Sequence, residues 1–282
     1  MILPTYRAEM SKQFRRARTW VAFGSVVAIP ILITFAVRFG ERRRRFESEP
    51  FNPFVLARST GLIMPAAALL FMSSLFLPIV VALFAGDSVA GEASSGNLRY
   101  VLVRPIGRAR LLAAKLGMTV TMAVIATLLI VVTGLIAGTI AFGWHRIDVA
   151  LDFSSFGGPN VQLHKSQLEL LKDLGIGTAY VAWGMAFVVA FAFMLSVMTD
   201  SGAGAIFGGF GLFMTSQILN AIPQLEPLKP GFPTHYLDNW SALIDPTKGG
   251  TEMLHGVLVQ IPYVVVFLGI AFWWFRRKDI LS

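Results

Sequence analysis

Three observations predict an all-α, polytopic membrane protein with six transmembrane helices and an N-terminal amphipathic helix at the membrane surface. Charge is scarce: of 282 residues, 14% are charged and 55% apolar, and the mean hydropathy is +0.66. A soluble domain carries roughly 25% charged residues, so this chain lacks the polar surface to cover a water-soluble globule of its size. Second, six apolar stretches reach the roughly 20 residues that a spanning helix needs, and none contains Asp, Glu, Lys or Arg. Third, the basic residues behind the net charge of +8 cluster beside those stretches. That is the pattern of charges at a membrane surface, not of a nucleic-acid-binding patch.

Residues 1–18 come first. Tyr6, Met10 and Phe14 recur at helical spacing, while Arg7, Lys12, Arg15, Arg16 and Arg18 fill most of the other faces. This predicts a helix lying in the headgroup plane, held by its apolar stripe and by anionic lipid. The apolar run that follows is long enough to span, and no Ala-x-Ala site comes directly after it, so a cleavable leader is not expected. The predicted spans are Thr19–Val37, Leu62–Ala85, Leu116–Phe142, Leu174–Met198, Gly202–Ile222 and Val257–Phe275. Pro30, Pro65, Pro78 and Pro262 fall inside them and read as kinks, because neighbouring helices can satisfy the freed carbonyls.

An even number of spans puts both termini on one side. Thirteen Lys and Arg fall on that side and eleven on the other, which favours cytoplasmic termini. The run Arg42–Arg45, on the predicted outer side, narrows the margin and has no explanation in the sequence. Residues 143–173 form a long, mostly polar loop in which Gln162–Lys172 reads as a short helix. Residues 223–250 hold five prolines but also Leu225, Phe232, Tyr236, Trp240 and Leu243. They read as a packed outer cap, able to dip back into the membrane, and not as a linker.

Catalytic patterns are missing. The histidines His145, His164, His235 and His255 lack metal-ligand spacing, there is no Gly-x-Ser-x-Gly elbow, and the sequence contains no cysteine. No metal site or cofactor is expected on this chain. The spans lack the acidic and basic groups that ion-coupled carriers usually place at depth. No phosphate-cradling Gly-x-x-x-x-Gly-Lys-Ser/Thr loop occurs either. If the protein moves something uphill, the energy must come from another chain.

The most informative stretch is Asp87–Lys115. Asp87 stands at the end of the second span and Glu92 five residues on. Gly96 with Asn97 and Leu98 permits a turn, followed by Arg99. Arg104, Pro105 and Gly107 interrupt the next segment, and Arg108, Arg110 and Lys115 reach the headgroups as the third span begins. Mixed acid and base make this a candidate surface for a cytosolic partner. The ordered pattern resembles a segment of ABC transporter permeases of the type-2 exporter family, with Asn97 where Thr is common and Ala93 where Arg is common. The fourth span's end at Leu195, Ser196, Thr199, Asp200 and Ser201, and the C-terminal Phe275, Arg276, Arg277, Lys278 and Asp279, are similar to the same family.

The resemblance implies a permease of an ATP-driven exporter in the cytoplasmic membrane of a prokaryote. It implies a second permease subunit, identical or related, and two copies of a cytosolic ATPase that carry the ATP and magnesium. Asp87, Glu92, Gly96, Arg99, Arg104, Pro105 and Arg108 would belong to the segment that receives the ATPase stroke, together with the N-terminal helix. Substrate would pass between the permeases along the second and fifth spans. On the fifth, Phe213, Ser216, Gln217 and Asn220 share one helix face. Facing residues on the second are Met72, Ser73 and Phe76. The competing expectation for the polar members is hydrogen bonding to a neighbouring helix. A stand-alone secondary carrier or channel is the alternative function.

Overall fold

The computed structural model describes residues 3–40, 53–94, 107–151, 161–245 and 252–277. Six of its helices are long and apolar enough to cross a membrane. The chain is a multi-pass membrane protein, and its described residues form an all-α body with one small antiparallel strand pair.

Helix α1 (Leu3–Phe14) turns at once into α2 (Ala17–Phe39). Two side chains from α2 satisfy carbonyls at the end of α1: Thr19 donates to Gln13 at 2.8 Å and the Trp20 indole to Phe14 at 2.8 Å. The stripe of Tyr6, Met10 and Phe14, expected to face lipid, packs instead on the protein's own core. The Tyr6 hydroxyl lies 2.9 Å from that of Thr121.

The expected second span, 62–85, is not one helix. After the short α3 (Pro53–Leu56) and a 3-10 turn at Gly61–Ile63, α4 (Met64–Ser73) ends and α5 (Phe76–Ser94) begins anew. Pro78 explains the break. It has no N–H for the carbonyl of Ser74, and its ring crowds that carbonyl. Helix α5 then continues past Ala85 to Ser94, so the first part of the expected 87–115 loop is helical. Helix α6 (Arg108–Phe142) begins ahead of the predicted Leu116. Its 35 residues measure about 52 Å, longer than a hydrocarbon core of about 30 Å.

Strands β1 (Ile147–Leu151) and β2 (Val161–Lys165) pair antiparallel, Ile147 opposite Lys165 and Leu151 opposite Val161. The helix expected over Gln162–Lys172 is therefore corrected: the strand runs to Lys165, with Leu163 buried and His164 exposed in period-two alternation. The helix starts only at Gln167, after the N-cap Ser166, which makes a reciprocal capping box with Glu169. Helices α7 (Gln167–Gly184) and α8 (Ala186–Met198) are joined through Met185, whose N–H and carbonyl both stay in the helical hydrogen-bond ladder. Helices α9 (Gly202–Ala221) and α10 (Met253–Arg277) complete the set.

Helix α5 is the hub, packed against α6, α8 and α9. Of its most apolar stretch 72% is buried, against 17% for α10. Close approach carries this packing, as expected where lipid removes the hydrophobic drive between helices. A Cβ on Gly86 would stand 2.6 Å from the backbone nitrogen of Ile206 on α9, and one on Gly209 2.4 Å from the Ala192 Cβ on α8. Large apolar side chains such as Phe35, Ile140 and Val265 point outward, where the solvent is lipid.

Between α9 and α10, two 3-10 segments (Pro223–Gly231 and Asn239–Leu243) build the cap. Trp240 is fully buried in it, over Gly177. The cap reaches well below the start of α10, because Tyr263, inside that helix, donates to the Gly231 carbonyl at 2.7 Å. Non-helical backbone at such depth needs partners. Gln260 supplies one to Pro233 at 2.6 Å and Tyr180 one to Tyr236 at 2.8 Å.

Candidate functional site

At the end of the bundle opposite the cap, α1 lies across the end of α5 and the start of α6, and the charges of all three converge. Lys115 of α6 is 1% exposed. Its ammonium reaches Glu9 of α1 at 2.8 Å, Glu92 of α5 at 2.8 Å and the Ser88 carbonyl at 3.1 Å. The Glu9 carboxylate and the Ser88 carbonyl accept hydrogen bonds from it, and the Glu92 carboxylate stands beside it as an ion-pair partner. Glu92 is also paired with Lys12 of α1. Five residues earlier on α5, Asp87 meets Arg16 at 2.6 Å and is paired with Arg18 at the start of α2.

Three carboxylates thus stand among four cations. The arrangement fits the rule that charges withdrawn from water must be paired and hydrogen-bonded. It ties three separate stretches of chain, chiefly through side chains. Asp87 and Glu92, expected to offer charge to a partner, are buried and spend it within this chain. Arg108 is exposed at the first turn of α6. Gly96, Arg99, Arg104 and Pro105, like Arg42–Arg45, lie outside the described residues.

Small residues make room for the cluster. A Cβ on Gly91 would sit 2.3 Å from the Asp87 carboxylate, and one on Gly202 at 3.3 Å. Fully buried Ser196, near the end of α8, accepts from the backbone N–H groups of Val89 at 3.0 Å and Ala90 at 2.9 Å, between Asp87 and Glu92. From the sequence, Lys115 is placed at the headgroups, Ser196 enters only in the motif at the fourth span's end, and Glu9 is not singled out. A signal for Glu9 existed: it is the one acidic residue in a basic arm and shares a helix face with Tyr6, Met10 and Gln13.

The candidate path residues divide. Met72, Ser73 and Phe213 are buried, Phe213 stacked on Phe187 with ring centroids 6.1 Å apart. Phe76 is half-buried. Ser216 shares a hydrogen bond of 2.7 Å with Thr234, and Asn220 one of 2.7 Å with His235, so both polar groups are engaged by the cap. Gln217, beside them, is half-buried. Among the described residues no group of His, Asp and Glu is placed to hold a metal ion.

A family model described as "Protein of unknown function (DUF2705)" matches residues 29–281, and the chain belongs to that family. No curated protein matches the sequence.

Proposed function

We propose that this member of the DUF2705 family is the membrane-spanning permease subunit of an ATP-driven exporter in the cytoplasmic membrane. The charged end faces the cytosol and the cap faces outward. The observation that carries the reading is the buried junction of Glu9, Lys12, Asp87, Glu92 and Lys115. A force applied to α1, or to the segment after Ser94, enters through these ion pairs at α5. From there it passes to α8 and α9, which pack directly on α5. The sequence pattern over Asp87–Lys115 supports the same assignment. On this reading the chain hydrolyses nothing itself. ATP and magnesium reside on two copies of a cytosolic partner, and a second permease subunit completes the path.

The test is co-purification with a cytosolic nucleotide-hydrolysing subunit, followed by reconstitution into vesicles. The expected outcome is transport that requires both that subunit and ATP. Transport by the purified chain alone would instead establish a stand-alone carrier or channel.

A further inference from the structure

The descending cap leaves a groove on its lipid-facing side. Gly231 forms one edge, and Val259, Pro262, Tyr263, Val266 and Phe267 of α10 form the wall of an open space of about 440 Å³. From the start of α10, this wall runs from about 9 Å to about 21 Å along the helix axis, which is hydrocarbon depth for a helix that begins at the membrane surface. We infer that the groove holds one acyl chain of a phospholipid from the leaflet on the cap side.

Four observations select that occupant. The lining is apolar, and its one side-chain hydroxyl, that of Tyr263, already donates to the Gly231 carbonyl. A sugar, peptide or nucleotide would therefore find no free partner and would lose its own hydration. The groove opens sideways, next to Val265 and Val266, which are 63% and 53% exposed, and what lies beside those residues in the membrane is lipid. The size suits a chain: a liquid water takes roughly 30 Å³ and a methylene is similar, so roughly fifteen such units fit. Lys229, two residues before Gly231 and half-exposed, gives a phosphate a counter-charge beside the groove. The lipid fills the space beside a segment held mainly by single hydrogen bonds, so it acts as a structural wedge, whatever the protein transports.

The probe is a phospholipid with a photoactivatable group in its acyl chain, incorporated with the full-length protein into phosphatidylcholine–phosphatidylglycerol nanodiscs. Labelling of the Val259–Phe267 peptide is expected to exceed, severalfold, that of the Val132–Ile140 face of α6, which is comparably exposed. Val266→Trp, which fills the groove, should reduce it to the α6 level. Val265→Trp, outside the lining, should leave it unchanged. Equal labelling of the two faces in the unmodified protein would overturn the proposal without recourse to any variant. So would undiminished labelling of Val266→Trp. Cross-linking between two copies through Val266→Cys, in place of lipid labelling, would show that the groove is a protein interface.

Discussion

Lys115 shows how one residue can hold a junction together. A buried ammonium is tolerated only where it is paired and hydrogen-bonded; here Glu9 and the Ser88 carbonyl accept hydrogen bonds from it and Glu92 stands 2.8 Å away as a second counter-charge. Replacing it with Met leaves Glu9 without a cation and Glu92 with Lys12 alone. Breaking a buried pair in this way costs about 3–5 kcal/mol, and Lys115→Met should lower thermal stability accordingly in detergent or nanodiscs. Adding Glu9→Gln should restore part of the loss, because the one carboxylate left without a cation is then neutral. A Lys115→Met protein as stable as the unmodified one would mean the cluster is not buried as described. Asp87 and Glu92 were legible in the sequence as members of an ordered pattern. Their partners were not, because nothing in linear spacing says that α1 folds back over the end of α5, with Glu9 and Glu92 far apart along the chain.

At the scale of elements, the cap is held to the bundle by individual hydrogen bonds, and one of them can titrate. Burial pushes the His235 imidazole below its ordinary value of 6.5, with Lys229 acting in the same direction and Glu252 against it. As pH falls below that value the unfolded chain takes up the proton before the folded one does. Stability is therefore fully present above it and is lost progressively on acidification. Thermal unfolding measured between about pH 8 and about pH 5 should show this loss in the unmodified protein and a flatter profile in His235→Gln. Identical profiles would remove His235 from the account. The spans themselves were largely legible, since an apolar run without charge has one solution in lipid. Missed were the break before Phe76, although Pro78 was visible as a kink, and the strand over Val161–Lys165, whose period-two alternation is too short to outweigh a helical reading of its neighbours. The packed nature of the cap was legible in its aromatic residues. Its side-chain partners on α7, α9 and α10 were not, because they depend on which helices are neighbours.

The whole molecule has two unlike ends, one tied by buried ion pairs and one by a hydrogen-bonded cap, joined through the central helix α5. The proposed orientation places them in different compartments, and the absence of native cysteine makes that testable. Ser94→Cys should be shielded from an impermeant thiol reagent in intact cells and Asn239→Cys should react. The reverse pattern would invert the molecule and put the ion-pair junction out of reach of a cytosolic ATPase. The central claim, however, is that this junction carries the ATPase movement into the membrane, and Glu92 is where it can be interrupted with least damage, since Lys115 keeps Glu9. The direct measurement is transport and substrate-stimulated ATP hydrolysis in vesicles that hold the permease with its ATPase, comparing the unmodified protein with Glu92→Gln. The account predicts that the variant inserts and assembles normally, that ATP is still hydrolysed at its basal rate, and that transport and its stimulation of hydrolysis are lost together. A Glu92→Gln complex that transports as well as the unmodified one would contradict it.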